Sequence, residues 1–198
     1  LPLWERWTKT GPQNKVQTMN PNRRHKKTSG IEQDIERVAR QEERLRFSIF
    51  DADTAWTVGA RLRALAASRK LAVAIDIRVN GHLLFFTAMP GTTPDNIDWI
   101  RRKRNVVQHF HRSSYAIGLE LRRQQTTLAE TIGVDARDYA PHGGCFPIKL
   151  KGTGCIGTIT VSGLPQRADH ELIIEVLAEL LGQPLKELAL EAQPDKSK

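Results

Sequence analysis

Residues 71–88 read LAVAIDIRVNGHLLFFTA, two apolar, strand-like runs on either side of Asn80-Gly81. Asn-Gly tolerates positive φ at both central positions of a type I′ turn, whose twist matches that of antiparallel strands. The stretch therefore predicts a β-hairpin. In the simplest register Val79 faces His82, Ile77 faces Leu84 and Ile75 faces Phe86, an apolar set on one side. Asp76, Arg78, Leu83 and Phe85 fall on the other, a mixed face that calls for a covering layer.

Helical patterns lie on both sides of this hairpin. Ile31, Ile35, Val38, Glu42 and Leu45 recur at helical spacing. Asp53 or Thr54 is expected to cap a second helix, whose Trp56, Gly59, Leu62 and Ala66 share a face. Thr93 reads as the N-cap of a third, with Pro94 at its first position and Asp95 suiting the positive end of the dipole. A mostly helical stretch then runs to about Thr131, followed by the loop GVDARDYAPHGG. FPIKL, a KGTG turn and CIGTITV form a second hairpin. A last helix carries Leu172, Ile173, Val176, Leu177, Leu180 and Leu181 as one stripe. The order predicts an α+β domain on a largely antiparallel sheet.

At 198 residues the chain has room for one domain, set at 31–190, between an N-terminal extension (1–30) and a short tail (191–198). Of the net charge of +8, six charges belong to residues 1–30, which hold seven Lys and Arg against Glu5. The rest is nearly neutral, so the basic arm reads as a flexible, solvated extension and nucleic-acid binding is not expected. No apolar run approaches the ~18–20 residues of a membrane span, and the N-terminus lacks the unbroken apolar core of a secretory signal. A soluble, cytoplasmic protein is expected, with no membrane partner. Cys145 and Cys155 are expected to be buried free thiols, although their places on two hairpin arms would permit a disulfide.

The glycine-rich stretch HGGCFPIKLKGTGCIGTITVSGLPQRADH, residues 142–170, is the obvious place for chemistry. Its glycines miss the phosphate-loop spacing G-x-x-x-x-G-K-[ST], and the two cysteines lack a zinc-type partner pair. Its two ends are more telling. His142-Gly143-Gly144 enters one strand, and Ser162-Gly163 leaves its antiparallel neighbour, so both lie at one sheet edge. That would bring His142 and His170 together beside a helix N-terminus, a position that favours anions. Turn sterics alone also explain such glycines. Gly157, inside its strand, marks a bulge or a close backbone approach.

Lys103 is the second pointer. At about 100° per residue from Ile97, the apolar arc of the third helix spans roughly 180–360° and holds Trp99, Ile100, Val106, Val107 and Phe110. Lys103 falls near 240°, inside that arc. It can snorkel past Trp99 and Phe110, pair with a buried carboxylate, or meet an anionic ligand.

QEERLRFSIFDADTAWTVG, AIDIRVNGHLLFFTAMPGTTPDNIDWIRRKRNVV, SSY, YAPHGGCFPI and GTITVSGLPQRADHE resemble, in order, an uncharacterised family grouped with the haem-degrading domain proteins of the HbpS and GlcG type, with fungal and bacterial members. The resemblance covers about residues 32–182. It implies a profilin-like α/β/α sandwich assembled into homo-oligomers, and haem as the cofactor to test. The family's motif positions fall on Trp99, Lys103, Ser113, Ser114, His142, Gly143, Gly144, Pro147, Ser162, Gly163 and His170. On this reading the chain binds a small ligand, haem or another anionic molecule. Lys103 neutralises a carboxylate or phosphate and His142 or His170 serves as ligand or proton donor, while Trp99, Gly143, Gly144, Ser162 and Gly163 complete the site. The resemblance also implies an alternative, a non-catalytic oligomeric scaffold or adaptor, since a fungal member is linked to tail-anchored protein insertion machinery.

Overall fold

The computed structural model describes residues 30–191. The expected basic extension up to residue 29 and the tail from residue 192 lie outside the described residues. Chain order runs α1 (Gly30–Arg44), α2 (Ala52–Ser68), β1 (Ala74–Val79), β2 (His82–Ala88), α3 (Pro94–Phe110), α4 (Ser114–Gln124) and α5 (Leu128–Ile132). It continues with β3 (Cys145–Leu150), β4 (Gly154–Ser162), α6 (Gln166–Leu180) and α7 (Leu185–Leu188).

The four strands form one antiparallel sheet in the order β2-β1-β4-β3. Alternation along the strands decides what each face carries. Ile75, Ile77, Ile159, Val161, Phe146 and Ile148 point to one side and join Val58, Leu62, Ile173 and Leu177 of α2 and α6 in the main core. Asp76, Thr158, Thr160 and Cys145 take the opposite face beneath α3, where Arg104 stands 3.6 Å from Asp76. The result is the α+β, three-layer arrangement expected. α1 packs on α4 through Val38, Tyr115, Ala116 and Leu119.

The first hairpin turns at Asn80 (φ 49°) and Gly81 (φ 81°), both in the left-handed region. Its register departs from the simple one. Val79 faces His82 and Arg78 faces Leu83, but pairing resumes at Ile77 with Phe85 and Asp76 with Phe86. Leu84 is the extra residue of a β-bulge, and one extra residue exchanges the faces of everything beyond it. Phe85 therefore enters the core while Phe86 is left 43% exposed.

Two smaller expectations also change. Asp51, not Asp53 or Thr54, caps α2 by accepting from Thr54 N and Thr54 Oγ1. Trp56 is 66% exposed and meets Phe85 edge-on at 5.8 Å, while Ala55 and Val58 take the buried places beside Gly59, Leu62 and Ala66. Thr93 caps α3 in a capping box with Asn96.

Both cysteines are free, Cys145 buried and Cys155 only half-buried. The register sets Cys145 opposite Thr160 and Cys155 opposite Lys149, so they are not cross-strand neighbours. Among the described residues no helix is long and apolar enough to cross a membrane.

Candidate functional site

Residues 95, 96, 99 and 103 of α3 share a helical face at i, i+1, i+4 and i+8. This face meets the C-terminal end of β4 and the first two turns of α6. Asp95, Asn96, Trp99 and Lys103, with Ser162, Gly163, Leu164, Gln166, Asp169 and His142, line a hollow of about 260 Å³ at the rim of the sheet.

Lys103 is 3% exposed. Its Nζ donates to Asp169 Oδ2 at 2.7 Å and to the Val161 carbonyl at 3.1 Å. Of the roles open to a lysine on an apolar arc, pairing with a buried carboxylate is the one adopted, at the wall of the hollow. Burying an ion pair costs several kcal/mol per ion unless the remaining groups are also satisfied. Here Asp169 Oδ1 accepts from Leu164 N at 2.9 Å, so the pair also pins the strand-to-helix junction. Burial still outweighs Lys103 and holds the Asp169 carboxyl above its usual range.

The two glycines of His-Gly-Gly are there for space. A Cβ on Gly144, whose φ is +114°, would lie 2.4 Å from the Val161 carbonyl and 2.7 Å from Lys103 Nζ. One on Gly143 would lie 2.0 Å from the Gln166 carbonyl. Only bare backbone lets this loop close over the ion pair and touch the start of α6. Gly157 likewise permits close approach, since its Cβ would stand 2.1 Å from the Arg78 carbonyl.

His142 stands at the mouth, exposed on one side. On the other its ring meets Trp99 edge-to-face at 5.3 Å, and the Arg102 guanidinium lies 4.5 Å over the Trp99 ring. Partial burial, then Lys103, Arg102 and Arg122, hold the His142 imidazole below its ordinary range, so it is neutral at pH 7.

His170 does not join this hollow. Asp169 and His170 are adjacent on α6 and so point about 100° apart. Asp169 turns toward α3, and His170 turns inward. There Nε2 lies 2.8 Å from Gln41 Oε1 and the ring packs 4.9 Å from Tyr115. Gln41 Nε2 is spent on the Leu188 carbonyl, which leaves Oε1 as acceptor and makes His170 Nε2 the donor. Complete burial pushes the His170 pKa down to about 3.

Other motif positions hold the fold. Ser113 caps α4, accepting from Ala116 N, and Ser114 Oγ accepts from Cys145 N at 3.1 Å. Pro147 is buried in β3 opposite Thr158. The Cys145 thiol, 3.0 Å from Thr160 Oγ1, is pushed up to about 12 by burial, which keeps it protonated and poorly nucleophilic.

The structure thus gathers Trp99, Lys103, His142, Ser162 and Gly163 at one hollow, with Gly143 and Gly144 behind it and His170 apart. Sequence reasoning missed Asp95, Asn96, Leu164, Gln166 and Asp169. For two of these a signal existed: Gln166 and Asp169 stand at i and i+3, one helical face, immediately after the glycine junction.

Comparison with known proteins places the chain. The family described as haem degrading protein, HbpS-like, matches residues 50–178. A UPF0303 protein of Azotobacter vinelandii is 61% identical over 161 residues, covering 81% of this chain and 97% of the relative. The crystal structure of Ybr137w protein superposes with a TM-score of 0.70 at 31% identity, covering 75% of this chain and 87% of that one. The structure of a PduOC:heme complex has a TM-score of 0.53 at 12% identity, covering 67% of this chain and 94% of that one, and shares the fold.

Proposed function

The chain belongs to the haem-degrading, HbpS-like family, and on that premise we propose that it is a small-ligand-binding protein whose seat is the rim hollow. The observation that carries this is the convergence there of a buried ammonium and an indole from α3 with a neutral imidazole from the loop before β3.

Haem is the ligand that family membership brings to mind, and His142 is chemically able to meet an iron. The remaining walls do not suit a porphyrin. Pockets that bury drug-sized ligands run to about 300–1,000 Å³ and are mainly apolar. This hollow is about 260 Å³, with Asp95 and Asp169 in its lining and only Trp99 and Leu164 as sizeable apolar surface. The seat suits something more compact than haem.

Native mass spectrometry of the full chain purified from its host tests this. The expected result is a retained compound lighter than haem that is absent from Trp99→Ala. Retained haem, or a Soret band on haemin titration that disappears in His142→Ala, would overturn the reading.

A second reading concerns assembly. β2 is an edge strand that leaves Leu83 and Phe86 exposed, and exposed apolar edges invite pairing with another copy. Homo-oligomer formation through this edge is compatible with the rim seat, since β2 and the hollow's walls are different surfaces.

A further inference from the structure

We infer that the hollow takes a small organic acid, held by its carboxylate group; this deepens the seat proposed above and rests on it. The inference comes from accounting for the polar atoms that face the hollow. The acceptors there are largely committed. Asp169 gives Oδ2 to Lys103 and Oδ1 to Leu164 N, and Asp95 Oδ2 takes Trp99 Nε1 at 3.1 Å. Asn96 Oδ1 accepts from Thr93 N at 2.8 Å, and Gln166 Oε1 accepts from Gly143 N at 3.3 Å.

What remains is mostly donors. An ammonium has three protons, and Lys103 spends two, on Asp169 and Val161. Asn96 spends one of its two amide protons, on the Ser162 carbonyl at 3.3 Å. Gln166 and Ser162 also line the hollow and bring an amide N–H and a hydroxyl as donors. His142 adds a ring N–H at the mouth. A ligand that complements such a wall must bring acceptors, and a carboxylate is acceptor-only with about four lone-pair sites.

Charge narrows the class. Lys103 is balanced by Asp169, while Asp95 at the rim keeps its charge and accepts from Trp99 Nε1. A single negative charge can be met by the unspent donors. A doubly charged phosphate would set more negative charge beside Asp95 and Asp169 than a carboxylate does. The Trp99 ring and Leu164 offer an apolar side for the body of the acid.

Calorimetric titration of the full chain with pyruvate, benzoate and orthophosphate tests this. Gln166→Glu keeps an oxygen for Gly143 N and exchanges the donor for a charge that repels carboxylates. At least one acid is expected to bind with Kd below about 10 mM, tighter than orthophosphate and at least about tenfold weaker to Gln166→Glu. Ser162→Ala, expected to weaken the acids in the same direction, serves if Gln166→Glu does not fold. The inference is overturned if orthophosphate binds as tightly as the acids, if neither acid binds, or if the folded variants bind acids as the wild type does. In those cases a compound still retained by wild type and lost from Trp99→Ala would leave the seat standing with another ligand class. No loss from Trp99→Ala would remove both.

Discussion

Asp169 and His170 are neighbours in the chain that point about 100° apart, and the difference decides their chemistry. Asp169 closes on Lys103 at the wall of the hollow, while His170 is sealed beneath Gln41 and Tyr115. The buried imidazole makes a sharp pH prediction. Folded His170 resists protonation down to about 3, whereas an unfolded histidine takes its proton near 6.5. Between those values the unfolded chain binds more protons, so stability from this residue is complete above pH 6.5 and is lost as pH falls toward 3. The loss is about 1.4 kcal/mol per pH unit. Urea denaturation between pH 6.5 and 4.5 is expected to show a slope steeper for wild type than for His170→Leu by that order; equal slopes would place His170 outside the sealed core.

At the scale of elements, the site is a junction held open by glycines and held together by one ion pair. The loop before β3 crosses the N-terminus of α6 so closely that Gly143 N reaches Gln166 Oε1, and Gly144 lies under the Lys103–Asp169 pair. Gly144→Ala must both strain a left-handed backbone and displace Val161 or Lys103. It is expected to destabilise the protein by about 2–4 kcal/mol in thermal or urea unfolding. Gly133→Ala, also at positive φ but with nothing within 4 Å of its Cβ, should cost far less. Equal costs at the two positions would show that backbone strain, not the approach over the ion pair, sets the requirement at Gly144. The same closeness gives Gly143 and Gly144 their role, which is packing of backbone on backbone and not the cradling of a phosphate.

At the scale of the whole molecule, two surfaces are separated. The rim hollow lies between α3 and the start of α6, whereas the exposed edge belongs to β2 at the far side of the sheet from β3. The bulge at Leu84 links local sequence to this outer surface, because it sends Phe85 inward and Phe86 outward. If copies join along β2, Phe86→Asp is expected to move the full chain to a smaller species in size-exclusion chromatography with light scattering. Because Phe86 is 43% exposed, its melting temperature should change little. An unchanged elution volume would take the β2 edge out of the assembly.

The sequence by itself determined the two hairpins and the main helices, the Asn-Gly turn, the placement of Lys103 on a buried helical face, and the family through its ordered motifs. These are local patterns, set by turn sterics and by helical and strand periods that act within a few residues. Only the tertiary structure decided the register beyond Leu84, the partner of Lys103, and which histidine borders the hollow. Each depends on elements distant in sequence: Lys103 meets Asp169 across 66 positions, and His170 meets Gln41 across 129. Nothing in a local period chooses between the two sides of α6. That choice belongs to the helices packed on either side of it, which give one residue a cation and its neighbour an amide in a dry core.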